Sequence, residues 1–253
     1  MELATQFPDL EERLAAAVQN GTPIALWAEL QPNKTAIVDP DGTTHSYAKI
    51  NANTNRMARL LRERGIGVGD SIALVCSNRA EFVEVLAATL RCGVRLTPVN
   101  WHLSADEIAY IVRDCEAKAL IAEARVPNIS AAAAQCSGLV FKLAIGGEIE
   151  GFEPYHDALA PFDPSNLADP VLGNRMLYTS GTTGRPKGVL RAASPVMPNV
   201  PPESRQYDFQ TSVQLCAGPA YHAAPLLLVV LAPMGTGSTL IFIDKWDSEH
   251  VLL

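Results

Sequence analysis

The sequence has little positive charge. Its 253 residues include 20 Lys+Arg against 27 Asp+Glu, which gives a formal net charge of -7 at pH 7. Such a chain generates no general positive field that would attract nucleic acid or an anionic membrane surface. We therefore expect no nucleic-acid partner, and an anionic ligand would need a local binding site.

Long apolar runs and targeting signals are also missing. The longest apolar run, Ala223 to Met234, is too short to span a bilayer and contains two prolines, so we predict buried core and no transmembrane segment. The N-terminal stretch MELATQFPDLEERL has acidic residues where a secretory signal has a basic end and an apolar stretch. These features predict a cytoplasmic protein.

Paired cysteine motifs are absent as well. The five cysteines form no CxxC pair, and their odd number leaves one thiol over in any complete set of disulfides. We expect free buried thiols, and neither disulfides nor a zinc site, at Cys76, Cys92, Cys115, Cys136 and Cys216.

The overall composition is that of a globular protein. With 48% hydrophobic and 19% charged residues, the chain can bury a sizeable core, which excludes disorder and fibrous repeats. At about 150 residues per domain, its length corresponds to between one and two domains.

Helical and strand-like segments alternate along the chain. Apolar residues recur at helical spacing in Asp9 to Val18, Tyr47 to Leu61, Ala80 to Cys92 and Ala105 to Cys115, with Ser46 and Ser104 as predicted N-caps. Short apolar runs typical of buried strands are SIALVCSN, RLTPVN, ALIAEA, LVFKLAIG, RMLYTS and TLIFID. This alternation predicts an α/β fold of mostly parallel sheets flanked by helices.

Two proline-rich segments interrupt the alternation. Glu148 to Leu172 contains four prolines and several acids, and is predicted to be an irregular surface connection. Ser194 to Asp208 also contains four prolines and is predicted to be a loop, because proline is excluded from the interior of a regular helix.

The segment LYTSGTTGRPKGV, from Leu177 to Val189, has the composition of an anion-binding turn. Gly181, Gly184 and Gly188 would allow positive φ and close approach of the backbone to a ligand. Consecutive N–H groups in such turns form a concavity that holds anions. Additional donors come from hydroxyls and one lysine, namely Thr179, Ser180, Thr182, Thr183 and Lys187.

A phosphate chain is the natural ligand of such a turn. The segment differs from the GxxxxGK[ST] loop in its glycine-lysine spacing, and Gly188 stands where that loop needs Ser or Thr. A tight turn without a ligand is the alternative, but four hydroxyls, three glycines and a lysine are an unusual composition for one.

This segment resembles the signature loop of the adenylate-forming superfamily, which comprises acyl-CoA synthetases, peptide-synthetase adenylation domains and firefly-type luciferases. The family pattern is close to Tyr or Phe followed by TSGTTGxPKGV, and each fixed position is matched, with Arg185 at the variable one. The resemblance extends from about Trp27 to the end of the chain and includes a Tyr-led helix, a Gly-x-x-x-GD turn and the stretch GPAYHAAPL. Pro98-Val99-Asn100 and the Tyr-His pair are more similar to acyl-CoA synthetases than to peptide-synthetase domains.

The resemblance implies a two-step ligase reaction, for which some of the required residues are expected outside this chain. In that family a carboxylate attacks the α-phosphate of ATP and releases pyrophosphate, and the thiol of coenzyme A then attacks the acyl-adenylate. The expected partners are therefore a small carboxylic acid, ATP and coenzyme A, with Mg²⁺ as the metal. By match to the motif, the β- and γ-phosphates would be held by Thr179, Ser180, Gly181, Thr182, Thr183, Gly184 and Lys187.

His222 has two interpretations. A lone histidine beside apolar neighbours is more often a core or helix-capping residue than a functional one. The resemblance instead places His222 between the nucleotide and acyl pockets, as a pocket wall or gate and not as a general base. No role is predicted for the other histidines, His45, His102, His156 and His250.

The sequence also departs from the family. After Gly188, LRAASPVMPNVPPES replaces the usual Ser/Thr-His-x-Asn stretch, and the Tyr-Gly-x-Thr-Glu stretch with its magnesium-binding Glu does not occur before Leu253. We therefore interpret the chain as the N-terminal part of a longer acyl-activating enzyme. The magnesium ligand, the catalytic lysine and the C-terminal domain are expected outside it, and the chain alone is expected to be nearly inactive.

The family architecture predicts how the chain is divided. Residues 71–208 would form one α/β subdomain with the phosphate loop, and residues 1–70 and 209–253 would form an incomplete second one. Such a chain is expected to expose an unpaired sheet edge and an apolar face, and either to be less stable than its length suggests or to self-associate. The alternatives are an adenylation domain that loads a carrier protein, a luciferase-like oxidase, and a non-catalytic nucleotide-binding module.

Overall fold

The computed structural model describes residues 7–179, 185–190 and 211–249. The helices of these ranges are α1 Leu10–Gln19, α2 Pro23–Leu30, α3 Tyr47–Glu63, α4 Ala80–Arg91, α5 Ala105–Asp114, α6 Ile129–Ala134, α7 Tyr155–Leu159 and α8 Leu231–Thr236, with a π-helical segment, Pro225–Val230, leading into α8. The strands are β1 Thr35–Val38, β2 Thr44–Ser46, β3 Ser71–Val75, β4 Arg95–Pro98, β5 Ala117–Glu123, β6 Phe141–Ile145, β7 Glu153–Pro154, β8 Asn174–Thr179, β9 Lys187–Leu190, β10 Val213–Cys216 and β11 Thr239–Phe242.

The strands form two sheets. A seven-stranded sheet has the order β7-β6-β5-β3-β4-β8-β9, and a four-stranded sheet has the order β10-β11-β1-β2. Neighbouring strands are parallel except in the pairs β8–β9 and β1–β2, which are antiparallel. The structure therefore confirms the predicted α/β class with mostly parallel sheets.

Helices cover both faces of the seven-stranded sheet. All five residues of β3 are buried, and its four apolar residues alternate between two apolar clusters. Ile72 and Leu74 belong to the cluster that includes residues of α3 and α4, whereas Ala73 and Val75 belong to the cluster formed with α5 and α6. A strand covered on both faces needs this continuous apolar run, which is why SIALV was recognisable as a buried parallel strand.

The core is shared between the two sheets. Leu240 and Phe242 of the four-stranded sheet lie in the same buried cluster as Leu74 and Leu96 of the seven-stranded sheet. This cluster contains residues from both sides of the division predicted at residues 70 and 208, and that division stays a prediction.

Capping groups define the ends of two helices as predicted. The Ser46 hydroxyl accepts a hydrogen bond from the backbone N–H of Lys49 at the start of α3, and Ser104 forms a capping box with Glu107 at the start of α5. Gly65 follows α3 with φ of 73°, a left-handed conformation in which glycine ends a helix at low cost.

The segment Glu148 to Leu172 differs from its prediction. It contains the short strand β7 and helix α7, and the side chain of Tyr155 is 1% exposed. The Tyr155 hydroxyl donates to the buried carboxylate of Glu84 at 3.1 Å. The prolines restrict their neighbours but leave a short helix free to form, so this part of the segment is anchored in the core. The second proline-rich segment lies outside the described residues.

The remaining composition-based predictions concern membranes, thiols and the long apolar run. Within the described ranges, no helix combines the length and apolarity needed to cross a bilayer. The five cysteines are free thiols, and Cys136 is the half-buried one among them. The apolar run after Ala223 is buried in part: Leu226 and Val230 are inaccessible, whereas Leu228 is 72% exposed.

Candidate functional site

The two ends of the predicted phosphate loop lie on adjacent antiparallel strands. Thr179 ends β8 and is paired with Lys187, which begins β9. Both residues are exposed, so the Lys187 ammonium can reach a ligand at the tip of this β8–β9 hairpin. The predicted loop residues between the strands lie outside the described ranges: Ser180, Gly181, Thr182, Thr183 and Gly184.

Gly188 has a packing role. Its φ is not positive, so that part of the prediction is wrong for this glycine. A Cβ at this position would lie 2.1 Å from Cε of Met176 and 3.0 Å from Cζ of Tyr178. Gly188 therefore lets two strands of the hairpin approach each other beneath these side chains.

Helix α5 supports the hairpin close to its loop end. The Tyr178 hydroxyl donates to Oδ2 of Asp114 at 2.5 Å, and the Tyr110 hydroxyl donates to Oδ1 of the same carboxylate at 3.3 Å. The guanidinium of Arg185 lies 5.4 Å from the Tyr110 ring centroid. Burial and the hydrogen bond to Asp114 raise the pKa of Tyr178, which keeps its hydroxyl protonated as a donor.

A cavity of about 400 Å³ opens beside the hairpin. Its walls are mainly apolar with a few polar groups, a composition typical of small-molecule sites. The structure brings Thr179 and His222 together on this cavity, whereas Lys187 lies on the hairpin outside its lining. The lining residues are Pro98, Asn100, Leu103, Glu107, Ile111, Leu177, Tyr178, Thr179, Pro186, Tyr221, His222 and Ala223.

His222 is both a cavity wall and the start of a helical segment. Its N–H donates to the carbonyl of Pro219, and its carbonyl accepts from the N–H of Leu226. The side chain is exposed, which excludes a core role. Its ring lies 4.7 Å from the ring of Tyr221, which is 9% exposed.

Tyr221 also lines a smaller cavity of about 150 Å³. Trp101, stacked on His102 with ring centroids 3.6 Å apart, forms one wall, and Asn78 and Asp244 contribute polar groups. Because Tyr221 lines both cavities, a change in its position would alter both.

Sequence reasoning missed several of these residues. Asn78 follows β3, Asn100 follows β4, and Tyr178 lies near the end of β8. Polar residues at the carboxyl ends of neighbouring parallel strands meet at one edge of the sheet, where ligands bind in open α/β folds. The position of these residues at the carboxyl ends of predicted strands is the sequence signal that could have identified them.

The residues that the structure describes form no metal-binding cluster on their own. Among them, no group of three or more His, Cys, Asp or Glu side chains is placed to hold a metal ion. Glu107 supplies the carboxylate of the cavity lining, and it already accepts from the N–H and the hydroxyl of Ser104 at 2.9 and 2.7 Å. No step of the chemistry is therefore assigned to a metal held by these residues.

Comparisons with known proteins identify the family of this chain. Residues 24–253 match the model of the family described as AMP-binding enzyme. The feruloyl-CoA synthase of an Amycolatopsis species is 30% identical over 226 residues, which cover 89% of this chain and 44% of that protein. The chain spans about half the length of the curated relatives it matches.

Solved structures show the same fold. The inhibitor-bound N-terminal domain of FACL13 from Mycobacterium tuberculosis superposes with a TM-score of 0.76 at 27% identity, covering 92% of this chain and 59% of that one. ATP-bound MatB from Rhodopseudomonas palustris superposes with a TM-score of 0.72 at 27% identity, covering 90% of this chain and 47% of that one. With a sequence match over most of its length and a matching fold, this chain belongs to the AMP-binding enzyme family.

Proposed function

We propose that this chain forms the ATP-phosphate-binding part of an AMP-forming carboxylate–CoA ligase. The observation that carries the proposal is the β8–β9 hairpin, which pairs Thr179 with Lys187 at the two ends of the family's signature loop and lies beside a cavity. Membership of the AMP-binding family and similarity to an ATP-bound structure support ATP as the nucleotide.

The residues suit the departure of pyrophosphate. A chain with a net charge of -7 needs a local cation to attract a triphosphate, and Lys187 supplies one at the hairpin. Donors placed where negative charge develops stabilise the transition state of in-line transfer at phosphorus. We assign Thr179, Lys187 and the loop between them to the β- and γ-phosphates, with His222 as a wall of the adjoining pocket.

We propose a carboxylic acid with an apolar body as the substrate and coenzyme A as the acceptor. The main cavity has apolar walls at Leu103, Ile111 and Leu177, and the polar groups at its edge fit a carboxylate that enters with its apolar part inward. The named relatives include a feruloyl-CoA synthase. Because the chain spans about half the length of such relatives, complete turnover is proposed for a longer protein that contains it, and slow turnover for the chain alone. A cytoplasmic location stays a prediction.

Removing the loop lysine tests the phosphate assignment. We expect Lys187→Ala to weaken ATP binding by about tenfold or more, since a hydrogen bond to a charged group contributes roughly 1.5–3 kcal/mol. Stability should change little because the side chain is exposed. Isothermal titration calorimetry measures the affinity, and Lys49→Ala, which removes an exposed cation from α3, is the matched control. Equal affinities of the two variants would overturn the assignment.

Pyrophosphate release with a panel of carboxylates tests the reaction. The proposal predicts carboxylate-dependent pyrophosphate release by the longer protein and a much lower rate for the 253-residue chain. An equal rate for both would contradict the proposed dependence on further residues. Absence of carboxylate-dependent release by the longer protein would contradict the ligase assignment.

A further inference from the structure

The side chain of Asn78 connects the two sheets through hydrogen bonds to backbone groups. It follows β3 at the carboxyl end of the seven-stranded sheet, and its side-chain Nδ2 donates to the carbonyl of Gly218 at 2.9 Å. Its Oδ1 accepts from the N–H of Ala220 at 2.8 Å. Nδ2 also lies 3.5 Å from the carbonyl of Ile243, so the same amide reaches the ends of both β10 and β11.

These bonds hold the turn that carries the cavity wall. Gly218 and Ala220 flank Pro219, whose carbonyl accepts from the N–H of His222. Tyr221 lies between Ala220 and His222 and lines both cavities. A shift of this turn would therefore move Tyr221 and His222 together.

The amide group is suited to this task. Holding the turn requires one donor and one acceptor on the same side chain, and a carboxamide provides both without charge. Ala220 is 0% exposed, so loss of its bond to Asn78 would leave a buried N–H away from water and without this partner.

We propose that Asn78 is a positioning residue that sets the cavity wall formed by Tyr221 and His222. This inference rests on the proposed function only in that the wall is taken to face a ligand. A purely structural role would affect stability and leave the surroundings of Tyr221 and His222 unchanged.

A second bridge between the sheets provides the control. Arg125 forms two hydrogen bonds to Asp244 at 2.8 and 2.6 Å, which also connect the two sheets. Among the described residues, its charged contacts are Asp244 and Glu123, and these lie outside the turn 217–222. Arg125→Ala thus removes a bridge without removing a bond to the turn.

Nuclear magnetic resonance of the 253-residue chain tests the proposal. We expect Asn78→Ala to shift the Tyr221 amide and the His222 imidazole signals, the latter assigned with His222→Gln. Arg125→Ala should lower the melting temperature while moving these signals much less. Equal shifts in Asn78→Ala and Arg125→Ala, or no shift in Asn78→Ala, would overturn the role of Asn78.

A conservative variant covers failure of the alanine variant to fold. Asn78→Asp keeps an acceptor for the Ala220 N–H but loses the donor to Gly218, so the two signals are expected to move in this variant as well. Unchanged signals in Asn78→Asp would overturn the proposal.

ATP affinity separates this proposal from the proposed function. Asn78→Ala is expected to bind ATP about fivefold more weakly than the unaltered chain, because the displaced wall would lose ligand contacts worth about one hydrogen bond. If the unaltered chain fails to bind ATP, the proposed function is overturned, whereas the signals of Tyr221 and His222 still decide the role of Asn78.

Discussion

The pKa of one carboxyl group outside the cavity shows how strongly burial affects a single residue. Glu84 of α4 is 1% exposed, and its oxygens accept from Asn53 Nδ2 at 2.7 Å and from the Tyr155 hydroxyl at 3.1 Å. Burial raises the pKa of Glu84 to about 7 despite these bonds, because desolvation penalises the charged form. The contribution of Glu84 to the free energy of unfolding must therefore depend on pH.

The neighbouring charges titrate in other ranges. Burial opposes ionisation of Glu81 too, but hydrogen bonds from His156 and Arg79 lower its pKa to about 2. The hydrogen bond to Glu81 in turn raises the pKa of His156. Glu81 therefore contributes stability that is lost progressively as the pH falls from about 4.5 to about 2, and His156 contributes stability that is present below pH 6.5 and is lost as the pH rises above it.

Replacing Glu84 with glutamine isolates its effect. With an unfolded pKa of 4.5 and a folded pKa of about 7, the carboxyl contributes stability that is complete below pH 4.5 and is lost as the pH rises through 7. We expect the free energy of unfolding to fall by on the order of 2–3 kcal/mol between pH 4.5 and 8, and to fall less in Glu84→Gln. Urea unfolding at several pH values measures this, with the exposed Glu150→Gln as control. An unchanged pH dependence in Glu84→Gln would show that Glu84 is ionised in the folded state throughout.

At the scale of whole elements, a single glycine determines how β8 reaches the sheet. Gly173 precedes β8, and its N–H donates to the carbonyl of Leu90 at 2.8 Å. A Cβ on this residue would lie 2.1 Å from the Thr89 carbonyl oxygen and 2.5 Å from that of Val94. Strand β8, which carries Thr179, therefore begins at a point where backbone atoms approach each other too closely to leave room for a side chain.

Gly173→Ala should displace this strand. Because the obstructing atoms are backbone, relief requires movement of β8 or α4, and we expect a loss of about 2–4 kcal/mol in the free energy of unfolding. Gly67→Ala is the control, since a Cβ there meets nothing within 4 Å, and its effect should stay within about 0.5–1 kcal/mol. Urea unfolding compares the two, and similar effects would refute the close approach at Gly173.

Helices and strands with a clear pattern in their own sequence were predictable, whereas short strands that form only by pairing with distant parts of the chain were not. Ser104 and Glu107 lie three residues apart and identify the start of α5, whereas β9 was hidden in a segment whose glycines and lysine indicate a turn. Strands β1, β2 and β10 have only three or four residues and were missed for lack of a long apolar pattern.

The same distinction applies to the site. The loop motif and His222 were recognised from local sequence and resemblance, and Thr179 and His222 do line one cavity. The contact of Tyr178 with Asp114 joins residues 64 positions apart, and that of Asn78 with Ala220 spans 142. Only the packed fold brings such residues together.

At the scale of the whole molecule, both sheets have an outer strand with exposed apolar residues. Among the strands of the described ranges, β9 and β10 are the last in their sheets. On β9, Val189 and Leu190 are 41% and 52% exposed, and on β10, Val213 and Leu215 are 58% and 37% exposed. Apolar edge strands of this kind favour pairing with other chains.

We therefore predict that the 253-residue chain self-associates as its concentration rises. Light scattering coupled to size-exclusion chromatography over a dilution series should show an increasing mass for the unaltered chain. The variant Leu190→Lys, Val213→Lys should shift the distribution toward monomer, since charged residues on edge strands oppose pairing. A monomeric unaltered chain with a sharp two-state melt at all concentrations would contradict this prediction.

The central claim is that ATP binds with its terminal phosphates at the β8–β9 hairpin. The most direct measurement is a titration of the isotope-labelled chain with ATP, followed by the backbone amide signals. The account predicts saturable shifts at Thr179, Lys187 and His222, which are much reduced in Lys187→Ala. Saturable shifts confined to residues away from the hairpin and the cavity, or no saturable shift at all, would contradict it.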